Sequence, residues 1–141
     1  MPYPELPTER IELLYVLHPD NHLGQYDSPW INIQNFHTIL AIWTVGDMTG
    51  VSTMQMRMYT ADDGNGANMA VVPDWPTTLT AAGGDGDSIV AMNRRGENLA
   101  GGWIMVRTLI QAGASMASCH LLGIIPRYAP VSVANWTEVV A

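Results

Sequence analysis

Two stretches of this chain gather residue types that can hold a metal ion. Asp62-Asp63-Gly64-Asn65-Gly66 clusters carboxylate and amide oxygens, the donors that Ca²⁺ takes. Counting from Asp63, however, the glycine position of a calcium loop falls on Asn68, and the closing bidentate glutamate is missing. Asp, Asn and Gly are equally what a tight turn needs, for side-chain-to-backbone hydrogen bonds and for positive φ. The expected role is therefore a turn between strands, and the same holds for Gly83-Gly84-Asp85-Gly86-Asp87. In the second stretch His18, Asp20 and His22 stand two residues apart. On an extended backbone all three would point one way, as a transition-metal site requires. Pro19 makes this segment read as a turn, and no second histidine cluster supports it. His37 and His120 fall on separate apolar runs, where a hydrogen-bonded structural histidine is expected. No metal and no cofactor follow from these patterns.

Nucleophilic chemistry fares no better. Cys119 and His120 are adjacent, so on a strand they face opposite sides and cannot form a nucleophile–base pair. Gly113-Ala114-Ser115-Met116-Ala117 lacks the second glycine of a strained nucleophile elbow. The chain has no lysine, so no glycine-rich loop can be a phosphate-binding loop of the Gly-Lys-Ser/Thr type. The carboxylates lie mostly in turns, away from the apolar settings that shift a pKa. With no catalytic residues to assign, the chain is expected not to be an enzyme.

The elements that carry these residues read as strands. Residues 10–17 form a strand that stops at His18-Pro19, and 20–28 are turn-rich. Residues 30–33 alternate as a short strand. Residues 36–45 are apolar on both faces, the pattern of a strand covered on two sides. After a turn at 46–50, residues 53–60 place Met54, Met56 and Met58 on one face and Gln55, Arg57 and Tyr59 on the other. Methionine fills irregular gaps, so this stripe is expected in the core. A short strand at 68–72 ends at Pro73, and the loop 74–87 holds one small strand at 77–81. Strands at 88–92, 103–110 and 115–125 complete the set, with Gly113 in the turn between the last two. About eight strands without a helical period predict an all-β single domain of β-sandwich or jelly-roll type. It spans 10–130, between an extended proline-rich arm at 1–9 and a tail at 131–141.

Composition narrows the function classes. A chain of 141 residues with 48% hydrophobic residues can bury a core without disulfides or metal. Cys119 is the single cysteine, so no disulfide framework exists and a reducing compartment is the default. No apolar run approaches the roughly 20 residues of a membrane-spanning helix. The N-terminal residues lack the basic start and apolar centre of a signal peptide. Net charge is −7, and the six basic residues are all arginines. Nucleic acid and anionic membranes are thus not expected partners. Charged residues make up 13% of the chain, against about 25% in ordinary domains. A surface so poor in charge suggests a protein that buries much of its exterior in an assembly. Contact anchors are then sought among Pro2, Tyr3 and Pro4 of the arm and among Trp30, Trp75 and Trp136, which lie near turns or prolines.

Three blocks, in this order, resemble the head decoration (cement) proteins of tailed bacteriophages. "DSPWINIQNFHTILAIWTVGDMTG" (27–50) is similar to a polar strand that introduces an apolar one. "STMQMRMYTADDGNGANM" (52–69) is similar to the next strand and its turn. "WIMVRTLIQAGASMASCHLLGIIPRYAP" (103–130) is similar to a closing hairpin with a Pro-Arg-Tyr ending. The resemblance covers roughly residues 10–130. It implies a non-enzymatic β-sandwich subunit of the virion, assembled in the host cytoplasm, that binds the major capsid protein on the outside of the head and stabilises it. It also implies a homotrimer. The apolar character of both faces of 36–45 and 103–110 independently suggests packing against copies of the chain. Two rival expectations are another virion component, such as a head–tail or tail β-sandwich, and a small-ligand or carbohydrate-binding sandwich with Trp30, Trp75 or Trp136 as its platform.

Overall fold

The computed structural model describes residues 11–126, with side chains described through residue 124. The expected arm and tail contacts Pro2, Tyr3, Pro4 and Trp136 lie outside the described residues. Within them the chain is almost entirely antiparallel β-structure. Its strands are β1 (Ile11–Asp27), β2 (Ile31–Asn32), β3 (Phe36–Met48), β4 (Thr53–Ala61), β5 (Ala70–Val71), β6 (Leu79–Thr80), β7 (Ser88–Arg95) and β8 (Trp103–Pro126). Two short 3-10 turns, Gly96–Asn98 and Ala100–Gly102, lead into β8.

The 24-residue strand β8 organises everything else. Its first half pairs with β4, from Thr53↔Gln111 to Ala61↔Trp103. Its second half pairs with β3, from Met48↔Ser115 toward its C-terminal end. Along its other side β8 pairs with β1 over nearly the whole length of that strand. β7 extends the β3 half, while β5 and β6 extend the β4 half. One continuous sheet therefore curls so that its two halves face each other across the core.

The bend lies where the expected hairpin was placed. Residues 103–126 are one strand, and Gly113 is not a hairpin turn but part of a corner. Ile104, Val106, Thr108 and Ile110 point into the core before the corner, and Ser115, Ala117, Cys119 and Leu121 after it. The inward set passes from even to odd numbers, which requires one extra residue, as in a β-bulge. Ala112, with φ of 62°, sits at that point. A Cβ on Gly113 would lie 2.7 Å from the Thr49 carbonyl oxygen, so the neighbouring turn can approach only because none is there. β1 bends at the same level, with its register shifting between His22 and Gly24.

β1 also corrects the expected strand end at His18-Pro19, since the strand runs on to Asp27. Pro19 lies inside a register shift between Leu17 and Asp20. A residue without an N–H is tolerated there because the ladder is already interrupted. β3 likewise passes through Gly46 to Met48, again with a register shift.

The core matches the alternation read from the sequence. Met54, Met56 and Met58 are fully buried with Trp43, Ile39, Ile104 and Ile110. Each such side chain contributes roughly 1.5–3 kcal/mol by leaving water. Among the described residues two hydrogen bonds between side chains lie in this interior. The Trp43 indole N–H donates to Thr108 Oγ1 at 2.9 Å, and the Ser52 and Ser115 hydroxyls share a hydrogen bond at 2.6 Å.

Candidate functional site

The acidic turn after β4 is closed by its own side chains. Asp63 Oδ1 accepts from the backbone N–H groups of Asn65 (2.8 Å) and Ala67 (3.1 Å). Asp62 Oδ2 accepts from the Asn68 amide at 2.6 Å. Its glycines admit indole rings: a Cβ on Gly66 would lie 2.9 Å from Trp30 Nε1, and one on Gly64 would lie 3.1 Å from the Trp103 ring. Trp30, expected as a contact anchor, is thus half-buried against this turn. The 83–87 loop is tied in the same manner, with Asp85 Oδ2 accepting from Thr80 N–H at 2.8 Å.

His18 and His22 meet through the backbone, since His22 Nε2 donates to the His18 carbonyl at 2.8 Å. The His22 ring packs edge-on against Tyr26, with 4.7 Å between centroids. Asp20 instead accepts from the Asn21 N–H at 2.7 Å. Among the described residues no three His, Cys, Asp or Glu side chains converge as a ligand set. Cys119 is buried in the core, where desolvation pushes its thiol up to about 12. His120 is half-buried on the opposite face.

Among the described residues two surfaces stand out as able to act on something outside the fold. One is the outer face of the β1–β8–β3 half. Its cross-strand rows include Leu13–Leu122–Leu40 and Val16–His120–Ile42. Leu40, Ile42, Leu122 and Val16 are half-buried there, on the side away from the core. At the corner end, Ile89 (74% exposed) and Met116 (43% exposed) line an open hollow of about 340 Å³ with Pro19, Gly46 and Asp87. This half of the sheet thus carries apolar rows on its outer as well as its inner face, interspersed on the outer face with Thr38, Thr44, Ser118 and His120.

The other surface is the outer face of the β4–β8 half, and it is polar. Arg57 and Arg107 are direct cross-strand partners on it. Each nitrogen of Arg107 has a partner: Nε and Nη2 donate to the two Asp27 carboxylate oxygens at 2.8 and 3.1 Å. Its Nη1 donates to the Tyr59 hydroxyl at 3.3 Å, and the guanidinium lies 4.8 Å from the Tyr59 ring centroid. The hydrogen bond to Asp27 pushes the Arg107 pKa up and fixes its charge. Arg57 has a different partner, the ring of Trp75 at 5.0 Å. Trp75, another expected contact anchor, is 42% exposed above it. The sequence alone did not single out this arginine pair. Arg57 was legible as an outward residue on the methionine strand, but Trp75 stacks on it from 18 residues ahead and Arg107 stands opposite it from 50 residues ahead, beyond any local pattern.

No family model matches this chain, and neither does any curated protein.

Proposed function

We propose that this chain is a decoration, or cement, subunit of a tailed-bacteriophage head, acting without catalysis. In this role it binds the outer capsid surface and stabilises the shell by bridging neighbouring copies of the major capsid protein. Its domain is a β-sandwich of jelly-roll type, a description that the two facing half-sheets support. The working unit is a cyclic homotrimer, and the proline-rich arm 1–9 reaches over a neighbouring subunit. Three prolines restrict such an arm before it binds, which lowers its ordering cost.

The observation that carries the proposal is the apolar outer face of β1, β8 and β3. A two-layer fold needs one apolar face per half-sheet, and the rows Leu13–Leu122–Leu40 and Val16–His120–Ile42 provide a second. Leu13 is buried and the rest of these rows is half-buried; apolar side chains on an outer face favour association, which closed cyclic symmetry provides without forming fibres. The ordered likeness of residues 27–50, 52–69 and 103–130 to decoration proteins supplies the kind of assembly.

Co-sedimentation with undecorated heads of the parent phage tests the proposal. Saturable binding, weakened by deletion of residues 1–9, is the expected result. Recovery of all the protein in the supernatant would overturn it.

A further inference from the structure

We propose that the outer face of β4 and β8 around Arg57 is a binding site for an aspartate or glutamate side chain presented by a partner protein. Arg57 and Arg107 stand directly opposite each other on neighbouring strands, a placement that costs free energy for like charges. Asp27 neutralises Arg107 through two parallel hydrogen bonds. Among the described residues the ion pairs are Arg95–Glu97 and Arg107–Asp27, so Arg57 has no carboxylate. Its Nε is shielded from solvent and makes no hydrogen bond, a costly state for a charged donor. The Trp75 ring holds the guanidinium in place without satisfying its donors. Nε itself is closed to solvent, so an acceptor from outside the fold meets the outer nitrogens of this guanidinium.

Its shape and charge define that acceptor. Beside Arg57 lies a depression of about 50 Å³ lined by Gln25, Gln55, Tyr59, Arg107 and Leu109. The Gln25 amide already donates to Asp27 at 3.0 Å, while Gln55 and the Tyr59 hydroxyl, which accepts from Arg107 and keeps its own proton, are further side chains able to donate. Sites that enclose a small molecule run from roughly 300 to 1,000 Å³. This one admits only the tip of a group held elsewhere. Two arginines and one aspartate sum to one positive charge, which a carboxylate balances. A phosphate monoester would bring about −1.5 to −2 against the Asp27 carboxylate. The planar fork of arginine also matches a carboxylate. With a net charge of −7, the chain as a whole repels free anions, so the ligand is best delivered by a surface that makes other contacts, for which exposed Trp75 is placed. The site takes its ligand whether the partner is a capsid or another protein, so a chain that fails to coat heads still binds here.

The test is an NMR titration of the full chain, following Arg57 Nε–H and the Trp75 indole N–H. Sodium acetate, the blocked tripeptide acetyl-Gly-Glu-Gly-amide, sodium phosphate and sodium chloride are compared at matched ionic strength. Acetate and the peptide are expected to give saturable shifts, with the peptide binding at least as tightly and chloride giving none. Arg57→Gln should weaken both by about tenfold or more, the equivalent of one charge-assisted hydrogen bond. Arg57→Lys, which keeps the charge but loses the fork, should weaken both several-fold and carries the test if the glutamine variant does not fold. Shifts that chloride reproduces, or that persist unchanged in the variants, would overturn the site. Tighter binding of phosphate, or binding of acetate but not of the peptide, would overturn the assignment to a protein side chain.

Discussion

The indole N–H of Trp43 and the hydroxyl oxygen of Thr108, 65 residues apart, meet at 2.9 Å in the middle of the core. The contact joins β3 to the first half of β8, the two layers that the curled sheet brings face to face. Both side chains are almost completely buried, so the indole has no water to replace its acceptor. Thr108→Val keeps the volume and strands the N–H, and should lower unfolding stability by about 1–3 kcal/mol. Pairing it with Trp43→Phe should cost less than the sum of the two single changes. Urea unfolding of the four proteins checks this, and strict additivity would mean that the bond contributes nothing.

The corner of β8 makes a paired prediction. Ala112 adopts a φ of 62°, which glycine accepts without a Cβ penalty. Ala112→Gly should therefore be neutral or stabilising by up to about 1 kcal/mol. Ala117→Gly, on the regular part of the same strand, should destabilise by about 0.5–1 kcal/mol. Gly113→Ala should be the most damaging of the three, because its Cβ would meet the Thr49 carbonyl oxygen at 2.7 Å. Thermal unfolding ranks them, and a tolerated Gly113→Ala would contradict the corner described here.

Cys119 predicts an alkaline limb. Burial pushes its thiol from 9.0 to about 12, so between these values the unfolded chain has released a proton that the folded chain retains. Stability is then fully present below about pH 9 and falls as pH rises toward 12, by roughly 1.4 kcal/mol per unit. Tyr15, also raised, first by burial and then by Cys119 and Asp27, adds to the fall in the same direction. Unfolding measured from pH 8 upward should show the slope, and Cys119→Ala should flatten it. In native protein the thiol should resist aromatic disulfide reagents at pH 8 and react only on unfolding. Rapid reaction of the folded protein would contradict its burial.

Local patterns in the sequence carry much of this architecture. The methionine stripe is legible because a two-residue period assigns faces without knowledge of pairing. The Asp63 turn is legible because its hydrogen bonds close within five residues. What escapes is long-range. Gly113 has the composition of a hairpin turn, yet the change of inward parity and of partner strand makes it a bend in one strand. Pro19 looks like a terminator, but a register shift in β1 accommodates it. The Arg57–Arg107–Asp27 cluster depends on the registers of three strands, which no single segment encodes.

The apolar outer face predicts an oligomer that one substitution dissolves. Native mass measurement at micromolar concentration should give a trimer for the wild-type chain. Ile42→Asp, on the outer row with Val16 and His120, should give a folded monomer because it leaves the core face of β3 unchanged. Near-ultraviolet dichroism from buried Trp43 verifies the fold of the variant. A wild-type monomer would mean that copies of the chain do not cover this face.

Electron microscopy of heads saturated with the purified protein tests the central proposal most directly. The expected result is added density on the outer surface at local threefold positions, with the outer face of β1, β8 and β3 covered by neighbouring subunits. Density confined to the neck or tail, density inside the shell, or bare heads after saturation would contradict it.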